Sequence, residues 1–249
     1  MTGASSGIGR AFAHQLAARG MSLVLTARRM ERLLALAAEL RAAHGVEVTV
    51  LPFDLARSSE ALSLYDATEG AGLPIDVLIN NAGFGTKKNF VDTPWQTVAD
   101  EMQLNMISLT ELTHLFTKAM LARNHGYVLN VSSIGAYLPT PSMATYAAGK
   151  SYVRNFTEAL AFELGDTNVR VCCLCPGPTE SEFSNVAGIE VSGWKKSAFM
   201  SAEDCARIGL DALFNGRRNI VSGVLNTFSM FMLRFVPRRM AAFLASKFL

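Results

Sequence analysis

Residues 2–9 of the chain are TGASSGIG, and the glycine spacing indicates a tight turn between a strand and a helix. Gly3 permits the turn, while Gly7 and Gly9 let backbone approach a phosphate and let the helix pack on the strand. The helix predicted from Ile8 to Ala18 would direct its N-terminal N–H groups at a pyrophosphate. The order is G-x-x-x-G-x-G rather than G-x-G-x-x-G, but the surrounding β–α pattern favours a dinucleotide site over a bare turn.

Apolar runs alternate with helical patterns along the rest of the 249 residues. The strand-like runs, rich in Val, Leu, Ile and Cys, are Met21–Thr26, Val46–Leu51, Asp76–Asn80, Tyr127–Ser132, Val169–Leu174 and Asn219–Leu225. Such near-continuous apolar content is typical of strands buried on both faces. The amphipathic stretches are Glu31–Ala43, Trp95–Ala122, Ser142–Leu164 and a helix capped by Ser201 and ending at Phe214. This alternation predicts one α/β domain with a parallel, doubly wound sheet in three layers.

A second motif lies downstream of the glycines. Tyr146 and Lys150 stand four residues apart, so both project from one face if they lie on a helix. A nearby ammonium would lower the pKa of the phenol, which could then exchange a proton with a carbonyl or alcohol oxygen. Ser133, thirteen residues before Tyr146, would hydrogen-bond the same oxygen. Alone, Y-x-x-x-K also fits an exposed helix face; the glycines, Ser133 and Asn105 favour catalysis.

These motifs together resemble those of the short-chain dehydrogenase/reductase family. They occur in the family's order from residue 2 to about 225. The matching pieces are TGASSGIG at 2–9, Asp54, Asn80-Asn81-Ala82-Gly83, Asn105, Ser133, Tyr146, Lys150 and Pro176-Gly177. The resemblance implies a Rossmann-type fold, an NAD(P) cofactor, no metal, and an oxidoreductase acting on CH–OH or C=O groups.

The resemblance also assigns individual roles. Asn105 would kink its helix and position a water, and Lys150 would bind the nicotinamide ribose. Asp54 would bind the adenine amine, and the loop from Pro176 to Ser181 would bind the carboxamide. The complete expected cofactor set is Gly3, Ser5, Ser6, Gly7, Ile8, Gly9, Arg28, Asp54, Asn81, Ala82, Gly83, Tyr146, Lys150, Pro176, Gly177, Thr179 and Ser181.

The choice between NADP(H) and NAD(H) depends on the end of the second strand-like segment. An acidic residue there binds the 2′-hydroxyl of the adenosine ribose, whereas an arginine accommodates a 2′-phosphate. The chain has Arg28 and Arg29 after Thr26-Ala27 and no acid. Arg28, with hydroxyls from Ser5 and Ser6, therefore predicts NADP(H), although the two arginines would also fit a solvated helix start.

One element of the family pattern is missing. The family has a strand directly before the Thr-Gly of the glycine loop, in the middle of the sheet, but here only Met1 precedes Thr2. Without that strand its two neighbours would face each other across a gap with unpaired backbone groups. We therefore expect the natural protein to begin upstream of Met1.

The substrate is expected under a segment spanning about 182–200, which we call the lid. Its apolar and basic residues are Phe183, Val186, Ile189, Val191, Trp194, Lys195, Lys196 and Phe199, facing Phe84, Ile134, Tyr137 and Leu138. Such a lining favours an apolar or acyl substrate. Each of these side chains would equally fit the domain's own core.

The last segment, residues 226–249, follows a Rossmann domain assigned to residues 1–225. It is apolar and basic, and Pro237 and its arginines argue against a spanning helix. Two short amphipathic helices are expected, lying on a membrane surface or packing on the domain or a partner subunit. The segment resembles the tails of a bacterial-type branch of the family whose substrates are largely undefined.

Composition limits the remaining function classes. A formal net charge of +2 gives no case for nucleic acid binding. Cys172, Cys173 and Cys175 in one strand are neither a zinc spacing nor a disulfide framework, which suits a reducing cytoplasm. By resemblance, residues 95–122 and 142–164 would pair subunits in a homodimer or homotetramer. Two alternative functions stay open: a non-catalytic dinucleotide-binding regulator and an NAD-dependent alcohol dehydrogenase.

Overall fold

Parallel strands alternate with helices along the chain. The computed structural model describes residues 1–189 and 199–248. The strands are β1 (Leu23–Thr26), β2 (Val48–Leu51), β3 (Val77–Asn80), β4 (Gly126–Val131), β5 (Val169–Cys175) and β6 (Asn219–Val221). The helices are α1 (Gly7–Ala17), α2 (Met30–His44), α3 (Glu60–Asp66), α4 (Trp95–Met102), α5 (Leu109–Ala122), α6 (Ala144–Glu163), α7 (Phe183–Ala187), α8 (Ala202–Phe214), α9 (Val224–Met232) and α10 (Arg238–Phe248).

The strands form two parallel groups, β1–β2 and β3–β4–β5–β6. Residues 1–4 run between the groups and bond to both. The N–H of Thr26 donates to the carbonyl of Met1 at 3.0 Å, and the N–H of Thr2 donates to the carbonyl of Ile79 at 2.9 Å. The predicted Rossmann-type, doubly wound parallel sheet is confirmed.

Helices cover both faces of the sheet, which gives the three layers. On one face α1, α2 and α8 bury Phe12, Leu36 and Leu210 against the strands. On the other face α5 buries Leu112 and Phe116 against them. Because neighbouring strand residues point to opposite faces, strands covered on both sides need apolar residues at nearly every position, as their sequences show.

Two predicted elements differ from the structure. The run Asn219–Leu225 is strand only to Val221, because Gly223 takes a φ of +89° and helix α9 then begins at Val224. The stretch Trp95–Ala122 is not one regular helix, since a π-helix at Gln103–Ser108 separates α4 from α5.

The predicted cap of α8 is confirmed. The hydroxyl of Ser201 accepts the N–H of Asp204 at 3.0 Å, satisfying one of the free donors at the start of the helix. Helix α8 packs on α1, so this cap helps to fix the helix that follows the glycine loop.

Candidate active site

The glycine loop joins the start of the chain to α1. Gly3 and Gly7 have φ of +67° and +50°, in the region that side chains other than glycine rarely adopt. A Cβ on Gly9 would lie 2.1 Å from the carbonyl oxygen of Gly3. The first turn of α1 therefore packs directly on the loop, as the glycine spacing predicts.

Asn81 and Ala82, which follow β3, brace this loop. Their N–H groups donate to the hydroxyl of Thr2 at 3.0 and 2.9 Å, and the Asn81 side-chain amide donates to the carbonyl of Gly3 at 3.3 Å. Sequence reasoning missed this role of Thr2. The hydroxyl could have been noticed from its position next to the first glycine.

Ser133, Tyr146 and Lys150 come together in the structure. Ser133 follows β4, and the other two lie on α6. The side chain of Ser133 lies close enough to Tyr146 to lower the pKa of its phenol, and it accepts the N–H of Gly135 at 3.0 Å. The ammonium of Lys150 lies 5.7 Å from the centroid of the Tyr146 ring and donates to the carbonyl of Val131 at 2.9 Å.

Burial shifts both titratable groups of this set. It raises the pKa of Tyr146 to about 12, against the lowering effect of the Ser133 side chain. It lowers the pKa of Lys150 to about 8. The expectation that Lys150 lowers the pKa of Tyr146 below its ordinary value is wrong for this structure, because loss of contact with water outweighs the other effects.

Asn105 lies in the π-helix between α4 and α5, where the resemblance places a kink. Its side-chain oxygen accepts the N–H of Phe84 at 3.2 Å, and its amide donates to the carbonyl of Phe84 at 2.7 Å. A Cβ on Gly83 would lie 2.8 Å from that oxygen and 3.3 Å from the Lys150 ammonium. Asn105 thus positions the loop after β3 beside Lys150, and π-helices often occur at functional sites.

Glu101 is a buried acid that sequence reasoning missed. It lies one helical turn before Asn105 and is 3% exposed. Burial raises its pKa to about 7, against hydrogen bonds from Thr86 and the charge of Lys150. An acid four residues before a candidate catalytic asparagine, on the same helix face, is the sequence signal that could have indicated it.

The predicted carboxamide loop follows β5. The N–H of Gly177 donates to the hydroxyl of Ser222 at 3.1 Å. The hydroxyl of Ser181 donates to the carbonyl of Thr179 at 3.3 Å and accepts the N–H of Phe183 at 3.3 Å. A Cβ on Gly7 would lie 2.8 Å from the Cβ of Ser181, so this loop contacts the glycine loop.

The predicted lid begins against Tyr146. The ring of Phe183 lies 5.2 Å from that of Tyr146, and the N–H of Lys87 donates to the carbonyl of Ala187 at 2.8 Å. Val186 stays exposed. The predicted lid residues that lie outside the described part of the chain are Val191, Trp194, Lys195 and Lys196.

Two residues expected to face the lid belong to the core instead. Ile134 and Tyr137 pack against a buried cluster, because the turn after Ser133 folds them back over β5 and β6. The members of that cluster are Cys173, Cys175, Val221 and Met230.

Arg28 and Arg29, which follow β1, differ in the contacts that they make. Arg29 donates to the hydroxyl of Ser5 at 3.0 Å, to that of Ser6 at 3.1 Å, and to the carboxylate of Glu182 at 2.7 Å. Arg28 is exposed and has no hydrogen bond or ion pair with any residue in the described ranges. The structure therefore brings Arg29, rather than the predicted Arg28, onto the serines of the glycine loop.

Glu182 and Asp54 complete the surroundings of the expected adenosine site. Arg32 and Arg29 together lower the pKa of Glu182 to about 2. Asp54 follows β2, accepts the N–H of Ala56 at 3.3 Å and lies 3.7 Å from Arg57.

A comparison with protein families agrees with this geometry. The family described as short chain dehydrogenase matches residues 1–190. The chain belongs to the short-chain dehydrogenase/reductase family.

Nodulation protein G of Rhizobium sp. (strain N33) is 34% identical over 212 residues, which are 84% of this chain and 82% of that protein. The very-long-chain 3-oxoacyl-CoA reductase of Pyrenophora tritici-repentis is 34% identical over 180 residues, 70% of this chain but only 52% of that protein. The chain thus spans about half the length of that fungal relative.

Solved short-chain dehydrogenase structures match the fold of this chain over most of its length. A 7beta-hydroxysteroid dehydrogenase structure has a TM-score of 0.90 at 27% identity, covering 98% of this chain and 94% of its own. A Sphingobium yanoikuyae enzyme in complex with NADPH has a TM-score of 0.84 at 28% identity, covering 96% and 95%. A Burkholderia phymatum family member in complex with NAD has a TM-score of 0.84 at 26% identity, covering 94% and 92%.

Proposed function

We propose that the protein is an NADP(H)-dependent oxidoreductase that interconverts a carbonyl and a secondary alcohol on an apolar or acyl-type substrate. The observation that carries this proposal is the meeting of Ser133, Tyr146 and Lys150 described above. A phenol beside a serine hydroxyl is suited to exchanging a proton with a substrate oxygen. Membership of an oxidoreductase family supports the same conclusion.

The residues present fit a dinucleotide. Gly3, Gly7 and Gly9 leave no room for side chains where the loop meets α1, and the guanidinium of Arg29 lies over two loop hydroxyls. A contact series from Gly7 through Ser181 and Phe183 connects the loop to the ring of Tyr146. The loop would hold the pyrophosphate, and Lys150 the ribose next to the nicotinamide. The hydride of the reaction is supplied by the nicotinamide ring when the cofactor is bound.

The chain's own groups account for the proton. With a pKa of about 12, Tyr146 carries its proton at neutral pH and can donate it to a carbonyl oxygen. Ser133 would hydrogen-bond the same oxygen as it gains charge. Lys150, on the ring face, would stabilise the phenolate left after transfer.

NADP(H) is favoured over NAD(H) by the residues around the loop serines. The segment Thr26 to Arg29 offers no acid for a ribose 2′-hydroxyl, and Arg29 donates to Ser5 and Ser6. A guanidinium with two neighbouring hydroxyls matches the oxygens of a 2′-phosphate. Related structures contain either NADPH or NAD, so this preference depends on the chain's own arginines.

An apolar carbonyl compound, such as a lipid-like ketone or a 3-oxoacyl thioester, is the substrate class we favour. Phe183 covers the ring of Tyr146, and the adjoining Val186 is exposed on the lid. Relatives named for 3-oxoacyl-CoA and hydroxysteroid substrates support this class.

Fluorescence titration with NADPH and NADH tests the cofactor assignment. Replacing Arg29 by Leu should weaken NADPH binding by roughly 10- to 100-fold, the range for lost hydrogen bonds to a charged group, and leave NADH binding nearly unchanged. The matched variant Arg28→Leu should have the smaller effect. Tighter binding of NADH than of NADPH by the unmodified protein would contradict the assignment.

Turnover of a 3-oxoacyl thioester and a steroid ketone tests the catalytic assignment. Tyr146→Phe should lower kcat by roughly 10²- to 10⁴-fold, the usual contribution of general acid–base catalysis, while NADPH affinity is retained. Unchanged turnover in this variant would show that another group is the acid. Tight NADPH binding without turnover of any carbonyl compound would favour the regulator.

A further inference from the structure

The segment after β6 exposes a continuous apolar face. Large side chains at positions 224, 225, 228, 231, 232 and 235 are between 43% exposed, at Met232, and 86% exposed, at Val224. Their spacing places them on one side of α9 and the turn that follows it. Met230, on the opposite side, is buried against the domain. The helix is therefore seated on the protein by one face and presents the other to its surroundings.

Helix α10, which follows in the chain, also exposes apolar side chains. Met240 and Leu244, four residues apart on one face, are exposed, while Ala241 and Ala245 are buried. Two consecutive helices of 9 and 11 residues thus each expose apolar side chains. Within the described residues, no helix is long and apolar enough to cross a bilayer. The surface we call the apolar face is formed by Val224, Leu225, Phe228, Phe231, Met232, Phe235, Met240 and Leu244.

The charge of this part of the sequence has one sign. No Asp or Glu occurs between residues 212 and 249, whereas six basic residues do. Arg234, Arg238 and Arg239 lie between or beside the two helices and are exposed. Arg234 also lies 5.9 Å from the centroid of the Phe231 ring. Exposed apolar side chains flanked only by bases match the chemistry of an anionic lipid surface, where acyl chains lie beneath negative headgroups.

The apolar face adjoins the candidate active site. At the start of α9, the side chain of Asn226 lies where a Cβ of Gly177 would be, at 2.1 Å. Its amide donates to the carbonyl of Ser222, whose hydroxyl accepts the N–H of Gly177. Helix α9 therefore packs on the predicted carboxamide loop.

We propose that this face docks the protein on the surface of an anionic phospholipid bilayer. The helices lie in the plane of the interface, with the apolar residues among the upper acyl chains and the arginines at the headgroups. This placement brings the predicted carboxamide loop, on which α9 packs, close to the lipid, where an apolar substrate would be found. Docking itself does not depend on the proposed reaction, and binding to vesicles is measured without turnover.

The test is sedimentation of the full chain with vesicles of phosphatidylcholine alone and of phosphatidylcholine with one quarter phosphatidylglycerol. We expect at least tenfold stronger binding to the anionic vesicles and weakening by added salt. The variant Phe228→Ser/Phe235→Ser should lose at least tenfold in binding. The matched control Leu34→Ser/Phe162→Ser removes two exposed apolar side chains elsewhere and should stay within twofold.

A second variant pair tests the charges without touching the apolar residues. Arg238→Gln/Arg239→Gln should weaken anionic vesicle binding by roughly fivefold per arginine, since each is worth about 1 kcal/mol near such a surface. Lys118→Gln, which removes an exposed lysine on the solvent side of α5, should have no effect. Equal binding to both vesicle types, or none by the unmodified protein, would overturn the proposal. If the unmodified protein is an oligomer that does not bind vesicles, and the Phe228→Ser/Phe235→Ser variant is a monomer, the apolar face would be assigned to contact with a second copy of the chain.

Discussion

Replacing Glu101 by Gln should stabilise the protein at alkaline pH. The carboxyl is buried on α4, and its Oε1 has no hydrogen-bond partner among the described residues. Burial raises its pKa from 4.5 to about 7, with Thr86 and Lys150 opposing the shift. The folded protein therefore favours the neutral acid, and ionisation of the acid weakens the fold.

The size of the stabilisation by Glu101→Gln follows from the size of the pKa shift of Glu101. The folded state holds its proton up to about pH 7, whereas the unfolded chain releases it near 4.5. The protonated Glu101 contributes its full stabilisation at pH values below its pKa in the unfolded chain. This stabilisation is lost as pH rises through its pKa in the folded protein. Since one pKa unit is worth about 1.4 kcal/mol, the loss between these limits is roughly 3 kcal/mol. Gln is neutral at every pH and keeps an oxygen that can accept from Thr86, so the variant escapes this loss.

Urea denaturation between pH 4.5 and 8.5 measures the difference directly. The free energy of unfolding of Glu101→Gln should exceed that of the parent by an amount that grows with pH and levels off near 3 kcal/mol above pH 8. Glu163→Gln, which removes an exposed carboxylate at the end of α6, serves as the control. Parallel stability curves for Glu101→Gln and the parent would refute the reasoning, because a pKa near 7 cannot leave the pH dependence unchanged.

Two further variants probe the cofactor side of the site. Glu182→Gln removes the carboxylate bound by Arg29 and Arg32, so a 2′-phosphate meets no competing anion, and NADPH should bind several-fold more tightly with NADH unaffected. Titration at two salt concentrations checks this, and weaker NADPH binding would show that Glu182 orients the arginine instead. Gly9→Ala places a Cβ 2.1 Å from the Gly3 oxygen and should destabilise the fold by roughly 1–3 kcal/mol while lowering affinity for both cofactors. Unchanged thermal unfolding would contradict the packing described for α1.

The elements that the sequence predicts well are those with a clear hydrophobic pattern. Every predicted strand is present because a strand covered on both faces must be apolar throughout, and that leaves a clear pattern. The predicted end of the last strand, at Leu225, is wrong for the same reason. Val224 and Leu225 continue the apolar run, although they lie on helix α9. From the sequence alone, the apolar residues that α9 exposes cannot be distinguished from apolar residues that are buried.

The grouping of Ser133, Tyr146, Lys150 and Asn105 follows from their motif, but their electrostatics do not. The direction of the Tyr146 pKa shift depends on how deeply the ring is enclosed, and Phe183, distant in sequence, helps to enclose it. The individual cofactor contacts stay predictions.

The contact of Arg29 with Glu182 joins residues 153 positions apart, so no local pattern could reveal it. The adjacent Arg28 is also an arginine and stands only one residue nearer to the glycine loop in sequence. Only the direction in which each side chain leaves the turn after β1 distinguishes them, and that direction is set by the start of α2 at Met30.

The pKa values of three titratable groups at the site all shift in the direction that favours the neutral form. Burial raises the pKa of Tyr146 and Glu101 and lowers that of Lys150, so each is moved toward its neutral form. A neutral tyrosine has a proton to give, which suits carbonyl reduction at neutral pH. Alcohol oxidation needs the phenolate, and its formation becomes easier as pH rises. For a fixed cofactor and substrate pair, the rate of oxidation should therefore increase with pH more steeply than the rate of reduction. A steeper rise for reduction would mean that Tyr146 is not the group that transfers the proton.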